Sequence, residues 1–359
     1  MIQLGDICTK ASSGIAQKDL EHCNGAYPIY GASGLIKYVD FYQQENPYVA
    51  VVKDGAGVGR VMQLPAKSSV IGTMQYIIPN EGISVQYLAY AMEHMNLAKY
   101  YTGATIPHIY FKDYCTEKLQ KHSESEQYRI AAVLGKLTAL ISLRKQQLAK
   151  LDELVKAQFV EMFGKSVYPH YDLIDLIVEG SGLSYGIVQP GDDGTGEMGV
   201  LRPVDLIDGG ISEKSIKFID RKIGDAFKKT ELIGNELLIT VRGTTGITAL
   251  TDKRFVGMNV TRGIAVIRFD EMKINPIYLN EYFKTDESQN YIQEHTRGAT
   301  LQQINLSDLR VHKILVPPMK LQQLFSQFCL AVEQSKLTIR QSLDKLEVLR
   351  KSLMQEYFG

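Results

Sequence analysis

The chain has no net charge, because its 40 Lys and Arg residues balance its 40 Asp and Glu residues. Bulk composition therefore does not indicate a strongly basic nucleic-acid binder, and any basic surface must be local. Cysteine is also scarce, and no two cysteines stand at the spacing of metal ligands. We expect free thiols in a reducing compartment. The four cysteines are Cys8, Cys23, Cys115 and Cys329.

Long apolar runs are missing as well. No stretch reaches the ~18 apolar residues that a membrane-spanning helix needs. The first residues, MIQLGDICTK, have no basic start followed by an apolar core, so they do not resemble a secretory signal. These absences predict a cytoplasmic protein without a membrane partner. The length of 359 residues predicts two to three domains, each large enough to bury its own core.

Signatures of catalysis are absent too. The glycine-rich residues 55–59 lack the spacing of a dinucleotide-binding loop, as do the matching residues 242–246, so both stretches indicate hairpin turns. Gly164-Lys165-Ser166 imitates the end of a phosphate-binding loop, but Phe159 stands where the first glycine belongs. The histidines do not cluster with acids or cysteines. We predict a chain with no catalytic residue, metal or cofactor of its own; an enzyme in an unfamiliar fold is the alternative.

The chain contains an internal repeat. Residues 103–164 and 298–359 align without a gap at a constant offset of 195, and 16 of the 62 paired positions are identical. Average residue usage would give about 4 identities by chance. Both segments begin with Gly-Ala-Thr and end with Glu-x-Phe-Gly. The period is too long for a solenoid, so the chain is interpreted as two copies of one module.

Each half has the same predicted plan, a strand-rich part followed by a long helix. The strand-rich parts, residues 1–120 and 165–315, contain short β-branched runs bounded by Gly, Pro, Asn and Asp. This pattern predicts an α+β fold with a shorter helix late in each strand-rich part. The predicted strands include 48–52, 75–78, 237–241 and 264–268, and the shorter helices are 84–100 and 276–294.

The two long helices, predicted at 124–162 and 319–357, contain no proline and a single glycine, Gly135. Apolar residues recur at three- and four-residue spacing over about four heptads, which indicates the a/d seam of a coiled coil. At ~1.5 Å per residue each helix measures ~58 Å, too long to be buried in a domain of about 120 residues. We predict an antiparallel coiled coil of the two helices. The seam residues are Leu134, Leu137, Ile141, Leu148, Leu151, Val155, Val332, Ile339, Leu343, Leu346 and Leu353.

Polar and apolar seam positions are exchanged between the two helices. Ile141 corresponds to Lys336, and Arg144 corresponds to Ile339. Because polar seam residues set register and partner, this asymmetry favours pairing of the two different helices over self-pairing. The alternative is two independent helices, each lying on its own domain. An antiparallel pair would give the molecule a pseudo-twofold axis, which suits a bipartite DNA target.

Cationic and hydroxyl side chains near the predicted turns are the candidate DNA contacts. Arg, Lys and Thr on hairpin loops can bind phosphates or base edges. For any one of these residues the alternative is an ordinary solvated side chain. The candidates are Lys53, Arg60, Lys228, Lys229, Arg242, Thr244, Thr245, Arg254, Arg262 and Arg297.

A set of short motifs occurs in a fixed order, partly in duplicate. Residues 27–36 are YPIYGASGLI and residues 238–246 are LITVRGTTG, while Leu-Gly-Asp-Ile at 4–7 is matched by Leu-Ile-Asp-Leu at 173–176. Val316-Pro317-Pro318 and Gln322 stand at the start of the second long helix. At the corresponding place the first half has Glu126-Gln127 and lacks the prolines. In this order the motifs resemble the target recognition domains and conserved helices of the specificity subunit of a type I restriction–modification system.

The resemblance implies two target recognition domains, residues 1–120 and 165–315, and two conserved-region helices, residues 121–164 and 316–359. In that family the domains read a split double-stranded DNA sequence, and the long helices form the spacer between them. It also implies two methyltransferase subunits as partners, and restriction subunits through them. S-adenosylmethionine, ATP and magnesium would be held by those partners, and this chain would supply no chemistry. A protein–protein scaffold without a DNA role is the alternative.

Overall fold

A computed structural model of the chain describes residues 1–103, 105–165, 167–189, 191, 196–207, 210–299 and 301–359. Ala104 and Thr300 of the repeated Gly-Ala-Thr motifs lie outside the described residues, as does Ser166. The chain forms two compact units: unit 1 comprises Met1–Leu148 with Thr338–Gly359, and unit 2 comprises Ala149–Leu337. Each unit combines a strand-rich part with a portion of both long helices. The finer division into four segments stays a prediction.

Unit 1 is built around a four-stranded antiparallel sheet with the strand order β2-β8-β5-β6. A three-stranded sheet, β4-β3-β7, and the short pair β1-β9 complete it. Its elements are β1 (Ile2–Gln3), α1 (Leu4–Ile7), β2 (Cys8–Ser12), β3 (Tyr27–Gly31), β4 (Gly34–Val39), β5 (Tyr48–Val52), β6 (Val61–Leu64), β7 (Ser69–Val70), β8 (Met74–Pro79), α2 (Val85–His94), α3 (Phe111–Tyr114), β9 (Lys118–Leu119) and the beginning of α4 (Glu124–Phe163).

Strand β5 is buried on both faces, which explains why its sequence is apolar throughout rather than alternating. Its side chains serve two cores in turn. Val49 and Val51 pack with α2 and the start of α4, whereas Tyr48, Ala50 and Val52 pack on the opposite face of the sheet. The central strand therefore has a fixed position, and the loop that follows it is held at a defined edge of the sheet.

Unit 2 repeats this plan. Its four-stranded antiparallel sheet has the order β11-β19-β16-β17, its three-stranded sheet is β15-β12-β18, and its short pair is β10-β20. Its elements are β10 (His170–Asp172), β11 (Ser184–Tyr185), β12 (Met198–Leu201), β13 (Leu206–Ile207), β14 (Gly210–Ile211), β15 (Lys217–Ile219), α5 (Arg221–Asp225), β16 (Leu237–Thr240), β17 (Thr248–Leu250), β18 (Asn259–Val260), β19 (Ile264–Ile267), α6 (Pro276–Phe283), α7 (Asp286–His295), α8 (Leu306–Arg310), β20 (Lys313–Leu315) and the beginning of α9 (Met319–Phe358).

The repeat thus continues through the strand-rich parts, beyond the segments that align in sequence. Both three-stranded sheets contain one parallel pair, β3 with β7 and β12 with β18. The central strands also correspond, because Leu237 and Ile239 of β16 face the helices while Leu238 faces the opposite core. The β13–β14 hairpin is an addition between β12 and β15 of unit 2.

The two shorter predicted helices differ from the observed ones. The segment predicted at 276–294 is two helices, because α6 ends at Phe283 and Thr285 caps α7 by accepting a hydrogen bond from the Ser288 amide. The segment predicted at 84–100 ends as an α-helix at His94, and a short 3-10 turn, Leu97–Tyr100, follows it.

The two long helices pack antiparallel in each unit. In unit 1, Arg350 approaches Thr138 at 3.4 Å and Lys145 pairs with Glu347 at 2.9 Å. Higher residue numbers in α4 therefore face lower residue numbers in α9, which is the antiparallel direction. Unit 2 shows the same direction, with Lys336 bonded to Asp152 and the Phe159 and Phe325 rings 5.5 Å apart. Every predicted seam residue is buried or half-buried. The coiled coil is confirmed, and the alternative of independent helices is excluded.

Candidate nucleic-acid interface

The loop between β5 and β6, residues 53–60, is named hairpin loop 1. Its backbone closes through the Gly59 amide, which donates to the Val52 carbonyl at 2.8 Å. This confirms a hairpin rather than a nucleotide-binding loop. Lys53 is half-buried with its ammonium group 3.8 Å from Asp54. The guanidinium group of Arg60 donates to the carbonyl of Ala32 at 2.6 Å, which ties the loop to the β3–β4 turn.

A second loop lies against hairpin loop 1. This closing loop 1 comprises residues 102–103 and 105–108, and its ends are joined by two backbone hydrogen bonds between Thr102 and His108, of 2.8 and 2.9 Å. The Gly55 amide donates to the Pro107 carbonyl at 3.0 Å, and the His108 ring contacts the Asp54 carboxylate. Gly103 has a φ of +97°, and a Cβ there would lie 2.6 Å from the Ile106 carbonyl oxygen, so only glycine fits.

Unit 2 has the same pair of loops. Hairpin loop 2, residues 241–247, joins β16 to β17, and closing loop 2 comprises residues 297–299 and 301–303. Arg297 and Gln303 exchange two backbone hydrogen bonds of 2.8 Å, and the Gly243 amide donates to the Gln302 carbonyl at 2.9 Å. Gly298 has a φ of +103°, like its counterpart in unit 1. The backbone of the closing loop therefore requires the glycine of each Gly-Ala-Thr motif.

The strand register divides the candidate DNA contacts of unit 2 between the two ends of its sheet. Thr240 pairs with Ile264 at the end that carries hairpin loop 2, and Leu237 pairs with Ile267 at the other end. The first group, at the loop end, is Arg242, Thr244, Thr245, Arg262 and Arg297. The second group, at the opposite end, is Lys228, Lys229 and Arg254. The predicted residues therefore do not form one surface.

The arginines at the loop end of unit 2 differ in accessibility, and Arg297 and Arg262 are the exposed ones. The Nε atom of Arg242 is shielded from solvent and has no hydrogen-bond partner among the described residues. Arg297 is 71% exposed and its nearest carboxylate, that of Asp308, is 3.8 Å away. Arg262 and Thr244 are exposed, but Thr245 is buried and its hydroxyl meets that of Thr296 at 3.0 Å. Thr245 therefore supports the loop from inside.

At the opposite end of the unit 2 sheet, nearby carboxylates balance the positive charge of Arg254. The guanidinium group of Arg254 contacts Asp252 and Glu213, each at 2.6 Å. The hydrogen bond with Asp252 raises the pKa of Arg254, and the same bond lowers the pKa of Asp252. Lys228 and Lys229 are exposed on a short 3-10 turn. This end offers less uncompensated positive charge than the loop end.

Sequence reasoning missed the closing loops. The repeated Gly-Ala-Thr motif was the available signal, but the motif does not reveal that its loop packs against a hairpin loop roughly 50 to 60 residues earlier in each half. In the part of the chain that the structure describes, no group of three or more His, Cys, Asp or Glu residues could hold a metal ion. No helix among the described residues is both long and apolar enough to cross a membrane.

Comparison with known proteins agrees with this architecture. The type I restriction modification DNA specificity domain family matches residues 1–153 and 204–348. The type I restriction enzyme EcoBI specificity subunit of Escherichia coli is 26% identical over 128 residues, which cover 36% of this chain and only 27% of the relative.

Two solved structures share the fold. The S subunit of a type I restriction–modification system from M. genitalium superposes with a TM-score of 0.61 at 14% identity, covering 100% of this chain and 95% of that one. A chain from a study of assembly and conformational transition of the type I R-M system gives a TM-score of 0.52 at 13% identity, covering 99% and 96%. Since the family match extends over most of the sequence, the chain belongs to the type I restriction modification DNA specificity domain family.

Proposed function

We propose that this chain selects the DNA target of a type I restriction–modification complex, with each unit reading one part of a split double-stranded sequence. The observation that carries the proposal is the repeated loop end, which presents different side chains on the same backbone. The hairpin and closing loops meet through Asp54 and His108 in unit 1, and through Arg242 and Gln303 in unit 2. One scaffold with two sets of polar side chains suits two different half-sites.

The loop ends differ in charge as well as in shape. Arg242 and Arg297 of unit 2 can donate to phosphate oxygens or to the O6 and N7 atoms of guanine. In unit 1 the charge of Lys53 is balanced by the adjacent Asp54. Unit 2 would therefore supply more of the attraction to phosphates. Because the whole chain carries no net charge, partner subunits would add further phosphate contacts.

The partners follow from the family and from the repeat. The complex would contain two methyltransferase subunits, because a duplicated molecule presents each docking surface twice, and restriction subunits would join through them. S-adenosylmethionine, ATP and magnesium would bind to those partners, while this chain would select the DNA target. The cytoplasm is the expected location, since the four cysteines are free.

The test is to co-express the chain with the methyltransferase subunit of its own system and to select DNA from a random library. We expect two methyltransferase copies per chain by mass, and a selected sequence with two defined parts separated by an undefined spacer. A complex that binds DNA with no sequence preference would contradict the proposal and favour the protein–protein scaffold.

A further inference from the structure

Each closing loop carries one large, exposed apolar side chain. Ile106 is 65% exposed and Leu301 is 59% exposed, and the two residues occupy the same position of the repeat, 195 residues apart. Isolated apolar residues on a surface are common and need no explanation. Here, however, both copies of the repeat keep an apolar, exposed side chain after the Gly-Ala-Thr motif, although the next positions differ, with Pro107 against Gln302 and His108 against Gln303. A ligand common to both units would account for it.

The loops that carry these side chains are held in place at both ends. Backbone hydrogen bonds join Thr102 to His108 and Arg297 to Gln303, and a further bond connects each closing loop to its hairpin loop. Ile106 and Leu301 therefore lie between backbone hydrogen bonds that fix the ends of the closing loops. Contact with a ligand would then cost little additional conformational entropy in the loop.

The surroundings in unit 2 favour a polyanionic ligand over an apolar protein surface. Arg297 lies in the same closing loop as Leu301, and Arg262 lies at the same end of the sheet. An apolar side chain flanked by guanidinium groups is a combination with which proteins enter a DNA groove while binding the adjacent phosphates.

We propose that Ile106 and Leu301 are apolar contacts of the two units with DNA bases, each placed in a groove beside the phosphates that the neighbouring loops bind. This inference rests on the proposed function and names side chains that touch the base pairs. Both units keep the same kind of side chain while reading different half-sites. Because these apolar side chains make no base-specific hydrogen bond, we expect the contact to add mainly affinity.

The test uses the complete complex with its methyltransferase subunits and the variants Ile106→Ser and Leu301→Ser. Ile106→Leu and Leu301→Ile are the matched controls, because they keep the apolar surface. Loss of one side chain that becomes buried against DNA in the complex is expected to weaken target binding about tenfold. The preferred sequence and the salt dependence of binding should stay unchanged, since no base-specific hydrogen bond and no phosphate contact is removed. The control variants should bind like the wild-type complex.

The outcomes separate this inference from the proposed function. A wild-type complex without sequence preference contradicts the proposed function, and the serine variants then still test the contact through non-specific affinity. A wild-type complex that selects its target, with serine variants of unchanged affinity, overturns the groove contact alone. Serine variants that lose the methyltransferase subunit, seen as a lower mass, would assign the two side chains to protein docking instead. Thermal denaturation should show an unchanged melting temperature, because both residues are exposed.

Discussion

At the residue scale, the proposed function assigns phosphate contacts to single arginines of a chain without net charge. We predict that Arg242→Gln lowers the slope of log affinity against log salt concentration by about one, because one phosphate contact is lost. Arg254→Gln is the matched control, since Asp252 and Glu213 already neutralise that charge at the other end of the sheet. Titration of the complex with DNA at several salt concentrations measures both slopes. Equal slopes for the two variants would argue against Arg242 as a phosphate ligand.

A buried histidine makes unit 2 sensitive to acid. His312 is 1% exposed, its Nε2 lies 2.8 Å from the Ser288 hydroxyl, and burial lowers the pKa of His312 from 6.5 to about 4. Between these values the unfolded chain binds the proton and the folded chain does not, so stability rises with pH. We predict that the free energy of unfolding falls by up to about 1.4 kcal/mol per pH unit as the pH drops from 6.5 towards 4.

Denaturant unfolding of His312→Gln at several pH values tests this prediction. The variant should lose the pH-dependent contribution, while His22→Gln, a change at an exposed histidine, should keep it. A wild-type unfolding free energy that does not change between pH 6.5 and pH 4.5 would contradict the assignment to His312.

At the scale of elements, helices were predictable where the heptad periodicity extended over many residues. The heptad pattern predicted a helix over 124–162, and α4 spans Glu124–Phe163. The segment 276–294 looked continuous because its helix-forming residues hide a boundary that depends on the Thr285 cap. The contact between hairpin loops and closing loops was not predictable, because backbone bonds such as that from Gly55 to Pro107 leave no side-chain pattern in the sequence.

The length of the long helices offers a test of the spacer. Inserting one heptad into both α4 and α9 keeps the seam in phase and lengthens each helix by ~10.5 Å. We predict a DNA spacer longer by about 3 base pairs, at ~3.4 Å each. The selected sequences of the two complexes measure the change. A control that alters seven exposed helix positions without changing length should leave the spacer as it is, and an unchanged spacer in the insertion variant would exclude the helices as its determinant.

At the scale of the whole molecule, the repeat could be predicted from sequence in the closing loops and along the long helices, where a backbone turn or a partner helix constrains the residues. Positions 148 and 343 are both leucine, as are positions 151 and 346, because they fill the same seam. The buried strands accept many apolar combinations, so YVAV in β5 and LLIT in β16 share a place in the sheet without a recognisable alignment. The two units therefore have corresponding strand orders in their sheets although the strand sequences do not align.

Exchange of one strand-rich part should change one part of the DNA target. We predict that replacing residues 1–120 with the matching region of another specificity subunit alters a single half-site and leaves the other half-site and the spacer intact. The exchanged region must preserve the hydrophobic core that α2 shares with Ile130 and Leu134 of α4 and with Met354 of α9. Sequencing of selected DNA shows the result, and the reciprocal exchange of residues 165–315 is the control. Changes in both half-sites, or in neither, would contradict modular recognition.

The junction between each hairpin loop and its closing loop also bears on how such proteins evolve. The bonds from Gly55 to Pro107 and from Gly243 to Gln302 use backbone atoms alone, so substitutions at Lys53 or Thr244 remove neither of them. Substitutions at an exposed position such as Thr244 usually change stability by less than about 0.5 kcal/mol. Few substitutions would therefore separate the present sequence from one with a different target preference. Under the proposed function, single surface changes in these loops would alter the DNA target while the junction and the fold stay intact.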